Sequence, residues 1–272
     1  METQEPKPQS NINISRTHLS GAISDSKNIY LLSSKEPEAV SSMLALFYTL
    51  KSLGKNVNLI TNSLPENLKF LTPGLDFISY PKNFVVSIPN NIAQISQVYY
   101  EKNNDALKIH LTLESGNIKK DNISFYFAEA KPDLVITVGI KDYSKELTEE
   151  LNSFGFLLDS PILNIDTLAP SHLNKESSSP QTENKKFGKI NILESLSLSE
   201  IVFGIIKNIN KDSINKETPT CLLCGIVLHT ENFKNNVTAE IFQISSELMK
   251  AGADLKIITD NINKSEALNP KS

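Results

Sequence analysis

Arginine is almost absent from this 272-residue sequence, in which Arg16 is the only one. The planar guanidinium group binds phosphate through two parallel hydrogen bonds, which a lysine ammonium group cannot do. Phosphate recognition would therefore rely on lysines, backbone amides or metal ions. The net charge of −4 also argues against binding of long nucleic acids, which depends on a strongly basic surface.

The sequence also lacks a long apolar segment. No run of about 18 apolar residues is present, so no transmembrane helix is predicted. Residues 1–15 are polar and contain no apolar stretch of the kind found in secretory signal peptides. We therefore expect a cytoplasmic protein that does not contact membranes.

Cysteine is scarce as well, since Cys221 and Cys224 are the only two. A zinc site would need a second pair of ligands, and a redox site would need a strand-to-helix turn. Neither is apparent around the CLLC stretch. We expect both thiols to be small buried side chains.

Residues 28–60 have a strand–helix–strand pattern. NIYLL at 28–32 and NVNLI at 56–60 are short apolar strands, and a helix is predicted at 39–53 from apolar residues three and four positions apart. Gly54 is a typical helix stop. Such a unit implies parallel strands with a right-handed crossover.

Residues 84–130 have a different pattern. The strand-like stretches ALKIHLTLE (106–114) and ISFYF (123–127) flank the turn signal ESGN (114–117). This arrangement predicts an antiparallel hairpin.

From residue 131 the alternation of strands and helices returns. The predicted elements are strands at 133–138 and 161–166, helices at 144–154, 199–209 and 238–252, and an apolar segment at 221–229 interpreted as leading to a strand end near Leu228. The pattern predicts an α/β fold with a mainly parallel, doubly wound sheet, and with the hairpin as an antiparallel insertion.

The expected domain organisation is a single α/β domain between two tails. We predict a flexible tail at 1–25, the domain at 26–258 and a second tail at 259–272. The polar stretch at 172–186 has no apolar periodicity and predicts a mobile loop within the domain.

Four segments lie where a ligand would bind, beyond the carboxyl ends of parallel strands. They are LLSSKEPEAVSS (31–42), DLVITVG (133–139), NIDTLAPSHLN (164–174) and LLCGIVLHTENF (222–233). In order and spacing they resemble four motifs of the DHH phosphoesterase superfamily, which includes RecJ-like nucleases, oligoribonucleases and nucleotide phosphatases. The resemblance runs from about residue 26 to 258. It implies an α/β fold and, in an intact member, hydrolysis of a phosphate ester at two divalent ions, typically manganese.

The resemblance also shows what has changed at the metal-binding motifs. The family's ligand positions include four that here carry side chains unable to bind such ions, and these are Leu32, Gly139, Thr167 and Leu168. Aliphatic side chains and glycine coordinate nothing, and threonine offers only a weak neutral oxygen. A two-metal centre of the family type is therefore not expected.

Four residues that can bind a metal ion remain at the motifs, and they are Glu36, Glu38, Asp166 and His229. They form a candidate remnant site for one Mn²⁺ or Mg²⁺ ion. Each also has a structural explanation. Glutamates at a helix start interact favourably with the helix dipole, an aspartate after a strand caps a turn, and a lone histidine at a strand end is commonly hydrogen-bonded.

Ala39 and Gly139 are candidates for a phosphate site without metal. A glycine allows positive φ or a close approach of a ligand to the backbone, and exposed amides at a helix start attract anions. Glu36 and Glu38 work against this hypothesis because they would repel an anion.

These observations favour a catalytically degenerate relative of the phosphoesterases, a pseudoenzyme that acts as a binding or interaction module. Its candidate ligands are a nucleotide or a short oligonucleotide, and no cofactor is assigned. One alternative is an active phosphoesterase with a remodelled one-metal site, acting on short oligonucleotides or nucleotide phosphates. Another is a structural subunit that pairs with itself, as a homo-oligomer, or with an active paralogue. The family's smaller C-terminal domain is not recognised in the sequence, which would weaken the binding of a substrate.

Overall fold

The computed structural model describes residues 19–60, 64–72, 82–129, 132–147, 159–168, 186–209 and 216–268. The chain divides into two compact units. The larger unit comprises Met1–Ser79 and Lys131–Ser272, and the smaller one comprises Tyr80–Ala130.

The strands and helices follow one another in an α/β pattern that the smaller unit interrupts. The strands are β1 (Asn28–Ser33), β2 (Asn56–Leu59), β3 (Lys82–Ser87), β4 (Ala93–Lys102), β5 (Leu107–Gly116), β6 (Ser124–Glu129), β7 (Leu134–Val138), β8 (Ile162–Thr167) and β9 (Ile190–Glu194). The helices are α1 (Pro37–Ser52), α2 (Tyr143–Glu146), α3 (Leu198–Ile209), α4 (Glu217–His229), α5 (Ala239–Lys250) and α6 (Leu255–Leu268).

The larger unit is built on a parallel sheet with the strand order β2–β1–β7–β8–β9. From β1 the chain moves outwards to β2, then crosses back and continues from β7 to β9 on the other side. This is the order of a doubly wound fold, with its switch point between β1 and β7. The predicted α/β fold class, with a parallel sheet and an antiparallel insertion, is confirmed.

Alternating residues of β1 point to two apolar clusters, one on each face of the sheet. Ile29 and Leu31 belong to the main core with α1, α3 and α4. Tyr30 and Leu32 belong to a second cluster on the opposite face, where Val135 also packs. Both faces of this strand are therefore buried, as expected for a strand inside a parallel sheet.

Helix α4 differs from the sequence prediction. The segment at 221–229 was expected to lead to a strand end, but it is the body of a helix that packs against α1. Its residues from Cys221 to Val227 are all buried, so no apolar stripe distinguishes one side from the other. A short run that is apolar all round has no helical periodicity to detect. The expectation that Cys221 and Cys224 are buried free thiols is confirmed.

Both expected tails are wrong where they join the domain. Residues 19–25 are helical, with Leu19 and Ile23 buried, and α6 extends to Leu268, with Ile258 and Ile262 buried. In each case two apolar residues four positions apart face the core, a pattern that a short polar-looking stretch conceals. Residues 1–18 and 269–272 lie outside the described residues, as does the expected loop at 172–186 except for its last residue.

Only the start of the helix predicted at 144–154 falls within the described residues, as α2, because residues 148–158 lie outside them. None of the helices in the described part of the chain combines the length and the apolar character needed to cross a bilayer.

The smaller unit contains two antiparallel strand pairs, β3 with β6 and β4 with β5. The predicted pairing of 106–114 with 123–127 is therefore wrong, because β5 pairs with the strand that precedes it. The turn between β4 and β5 is formed by Asn103, whose side chain accepts hydrogen bonds from the backbone amides of Asp105 and Ala106. The Asx turn at Asn103 is thus the turn signal that marks the hairpin of β4 and β5.

Candidate functional site

A cavity of about 740 Å³ lies at the carboxyl edge of the parallel sheet, within the larger unit. It is lined by the segments that follow β1, β7 and β9, by the end of β8, by the C-terminus of α4 and by the N-terminus of α5. The switch point between β1 and β7 lies at this edge, where doubly wound sheets bind their ligands. The volume is typical of small-molecule sites. The predicted chain segments therefore meet at one cavity, although the last of them ends a helix rather than a strand.

Glu38, in the first turn of α1, is held by two groups distant in sequence. Its Oε1 accepts a hydrogen bond of 3.2 Å from the backbone amide of Ser199, at the start of α3. Its Oε2 lies 3.1 Å from Nδ1 of His229, the last residue of α4. Both carboxylate oxygens are therefore already used by the protein.

His229 is shifted towards its charged form by this contact. The hydrogen bond to Glu38 raises the pKa of His229, and partial burial opposes the shift. The position at a helix C-terminus favours a positive charge in the same way. The partly buried contact with Glu38 thus favours the charged imidazolium form of His229.

A close approach of helices fixes this pair. At Gly225 in α4, an added Cβ would lie 2.1 Å from Oγ of Ser199, so no larger residue fits without a shift. The same hydroxyl is 3.0 Å from Oγ of Ser42 in α1. We call this place, defined by Glu38, Ser42, Ser199, Gly225 and His229, the α1–α3–α4 junction.

Asp166, at the carboxyl end of β8, has very different surroundings. It is only 2% exposed. Its Oδ1 accepts a hydrogen bond of 2.8 Å from the backbone amide of Thr167, so part of the expected turn-capping role is confirmed. Its Oδ2 is buried and has no hydrogen-bond partner. Burial raises the pKa of Asp166, while the nearby Lys141 acts in the opposite direction.

Glu36 is the remaining member of the candidate metal set. It is exposed at the position before α1, and its side chain makes no capping hydrogen bond. It therefore lies at the lip of the cavity, at a helix start where a carboxylate can interact with the helix dipole without a capping hydrogen bond.

The four candidate ligands share the cavity wall but do not form a metal-binding set. Only Glu38 and His229 are in contact. Within residues 19–268, apart from the segments that the structure does not describe, no group of three or more histidine, cysteine, aspartate or glutamate side chains is placed to hold a metal ion. The donors present therefore do not fit the divalent ions that the resemblance implies.

The positions that the resemblance matches to metal ligands supply no strong donor group to the cavity. Leu32 is fully buried in the apolar cluster on the face opposite α1, so no polar ligand faces the cavity from β1. Thr167 and Leu168 line the cavity, and Leu168 is 41% exposed there. Leu168 thus gives the cavity an apolar surface just after β8.

The candidate phosphate site at Ala39 and Gly139 is not available in this form. Gly139 has a φ of 70°, so its requirement for glycine is conformational. Its amide donates to the carbonyl of Ile165, and the direction of a Cβ is filled by Leu198 and Ala39. Ala39 is fully buried. The two residues pack against each other and leave no amide cradle.

Several residues of the cavity were not anticipated from the sequence. Ser197 and Glu200 form a reciprocal capping box at the start of α3, in which each side chain accepts a hydrogen bond from the other's backbone amide. The S-x-x-E spacing before an apolar run is the signal that would have located them. Lys141 and Glu240 carried no such signal.

The sequence matches no protein-family model and no curated protein. Among solved structures, it is similar to an exopolyphosphatase-related protein from Bacteroides fragilis, a member of the DHH superfamily, with a TM-score of 0.61 and 20% identity. The chain has the DHH fold. The alignment covers 93% of this chain and 61% of that one, so the DHH-fold chain spans about six tenths of its relative's length.

Two structures of the exonuclease RecJ, both with manganese, also align with this DHH-fold chain. The first gives a TM-score of 0.41 with 12% identity, over 99% of this chain and 55% of that one. The second, from Thermus thermophilus, gives 0.38 with 11% identity, over 98% and 38%. At these TM-scores neither alignment adds to the fold assignment.

Proposed function

We propose that this DHH-fold chain is a pseudoenzyme that binds a small ligand in the cavity without hydrolysing it. The observation that carries this proposal is the double engagement of Glu38 by the amide of Ser199 and the imidazole of His229. The two contacts fix the orientation of this carboxylate between the starts of α1 and α3 and the end of α4, which favours a structural role for it. To turn both oxygens towards a metal ion, the protein would have to break contacts that hold these helix ends together.

The rest of the cavity supports the same proposal. Two-metal hydrolysis needs several convergent carboxylates and imidazoles. Here Leu32 faces away from the cavity, Gly139 offers no side chain, and Oδ2 of Asp166 is buried without a hydrogen-bond partner. The cavity nevertheless has a volume suited to a small molecule. The cytoplasmic location stays a prediction of the sequence.

The test is a turnover assay with a metal titration. We expect the purified protein to release no phosphate or mononucleotide from a dinucleotide, a short oligonucleotide or a nucleoside bisphosphate, with Mn²⁺ or with Mg²⁺. Release that depends on Mn²⁺ and is lost in Glu38→Gln would overturn the proposal and establish the one-metal phosphoesterase. Glu217→Gln, which removes the same charge at the opposite end of α4, is the matched control.

A second candidate function, a subunit that pairs with a second copy, is favoured by one face of the β4–β5 pair. Val98 and Tyr100 on β4 are 66% and 74% exposed, and Leu107 and Ile109 on β5 are 61% and 55% exposed. The register puts these apolar side chains on one face, since Tyr100 pairs with Ile109 and alternate residues of a strand point the same way. Contiguous exposed apolar surface of this kind commonly marks an interface. Light scattering of the purified protein would identify a stable oligomer.

A further inference from the structure

The charge of the cavity indicates which ligand would enter it. Five carboxylates line the cavity, from Glu36, Glu38, Asp166, Glu200 and Glu240. The cationic side chains in the same wall are Lys141 and His229. Because the acidic groups outnumber the basic ones even with His229 protonated, an anion would enter against repulsion and a cation would be attracted.

The five carboxylates are not equivalent. Glu38 is bound by the α1–α3–α4 junction, and Glu200 is bound within its capping box with Ser197. Asp166 differs from both, because its Oδ2 is buried without any hydrogen-bond partner. A buried unpaired oxygen costs free energy that a bound donor would recover. Among these three carboxylates, Asp166 is therefore the one that would gain most from a bound hydrogen-bond donor.

Lys141 does not meet this need. It lies near enough to Asp166 to lower the pKa of that carboxyl, but the effect of burial is larger. It does not hydrogen-bond Oδ2. Its own side chain is exposed, where its ammonium group is well hydrated. Lys141 thus does not supply the cation that would compensate Asp166.

The apolar part of the wall distinguishes between an inorganic and an organic cation. Mn²⁺ and Mg²⁺ need about six oxygen or nitrogen ligands in fixed geometry and gain nothing from leucine. An ammonium group needs one carboxylate and ordinary acceptors, and an alkyl chain beside it gains from apolar contact. Leu168 and Leu196 are 41% and 45% exposed in the wall and offer such contact.

We propose that the cavity binds an aliphatic ammonium compound, with its charged group on Asp166 and its alkyl chain against Leu168 and Leu196. This inference rests on the proposed binding function and names the ligand class. Asp166 lies in β8 and Leu168 is the first residue after that strand, and both line the cavity. Since Oδ2 has no exposed surface, binding includes a small movement of the Asp166 side chain towards the cavity.

Isothermal titration and thermal melts with 1,4-diaminobutane test this proposal on the full chain. At about 100 Kd of ligand, we expect the Tm to rise by about 5 °C or more. The uncharged 1,4-butanediol should have no effect. In Asp166→Asn, which keeps the shape and removes the charge, the Kd should weaken about tenfold or more. In Lys141→Gln, which removes a competing cation and also serves if the Asp166 variant does not fold, binding should become stronger.

The matched control is Glu217→Gln, which lies outside the cavity and should leave the Kd unchanged. Equal binding by wild type and Asp166→Asn would overturn the proposal, because the diamine would then be held by the exposed acids alone. A shift with Mn²⁺, pyrophosphate or a dinucleotide but none with the diamine would overturn it as well, and would leave the proposed binding function in place. Metal-dependent turnover in the assay above is the separate result that would remove the binding function itself.

Discussion

Glu38 and Asp166 line the same cavity, but they differ in burial and in hydrogen bonding. Glu38 is only partly buried, and each of its oxygens meets a protein donor at the α1–α3–α4 junction. Asp166 is almost fully buried, and one of its oxygens meets none. The more exposed carboxylate is thus the satisfied one. The comparison teaches that exposure alone does not decide which carboxylate finds a partner, because contacts between helices satisfy Glu38 and no such contact reaches Oδ2 of Asp166.

The largest expected effect comes from filling the space at the junction. Gly225→Ala should destabilise the protein by about 1–2 kcal/mol, because the new Cβ would meet the hydroxyl of Ser199 at 2.1 Å and turn it away from Ser42. Thermal melts would show this as a drop in Tm of several degrees.

Gly204→Ala, on α3, is the matched control for that substitution. No atom lies within 4 Å of a Cβ at this position, so alanine should be neutral or stabilise the helix by up to about 1 kcal/mol. Similar losses of stability in both variants would mean that the junction is not closely packed, and the account of how Glu38 is positioned would fail.

The next effect concerns the charge of Glu38. Glu38 raises the pKa of His229, so the pair contributes stability below the ordinary histidine pKa of 6.5, and this contribution is lost as pH rises through the folded pKa. Glu38→Gln keeps an acceptor for Ser199 and removes the charge. We expect a loss of about 1 kcal/mol at pH 6 and a much smaller loss at pH 8.5.

An NMR titration of His229 checks the same prediction directly. The pKa of His229 should fall towards 6.5 in Glu38→Gln and stay unchanged in Glu217→Gln. An unchanged histidine titration in both variants would contradict the ion pair.

The third substitution, at Asp166, should increase the stability of the protein. In the absence of ligand, Asp166→Asn should stabilise the protein by about 1 kcal/mol at pH 7, because it removes a buried charge with an unpaired oxygen. Burial raises the pKa of Asp166, so this penalty develops as pH rises from the ordinary aspartate value of 3.8. Melts at pH 7 and near pH 4 should show the advantage shrinking as the wild-type carboxyl protonates. Destabilisation at pH 7 would mean that the carboxylate is paired after all.

The smallest effect on stability is expected in the smaller unit. Tyr100→Ser alters an exposed side chain and should change the free energy of unfolding by less than about 0.5 kcal/mol. If the apolar face of the β4–β5 pair joins two copies, the same change should shift light scattering towards monomer. Lys108→Ser, on the opposite face of β5, is the control that should leave the oligomeric state as it is.

Much of the fold could be predicted from the sequence because the central strands are short apolar runs bounded by turn residues. β7 and β8 were located within a residue at each end. α4 was not, since a helix buried on all sides shows no stripe. β4 was missed because its residues, AQISQVYYEK, mix polar and apolar types in a strand that is largely exposed.

The site was predicted only as a set of positions. The resemblance indicated Glu38, Asp166 and His229 as site residues, and their side chains are of the types that bind metal ions. What each carboxylate does depends on groups 161 and 191 residues away from Glu38, and on the absence of any such group at Asp166. Contacts of that separation follow from helix packing, which no local pattern encodes.

The bond between Glu38 and the amide of Ser199 also has a mechanical consequence. Helix α1 follows β1 and α3 follows β9, and the two strands between them end in the cavity. The bond therefore joins the starts of two helices that follow strands on either side of the cavity. While it holds, the starts of α1 and α3 cannot separate, so the distance between these two parts of the cavity wall is set by the chain itself.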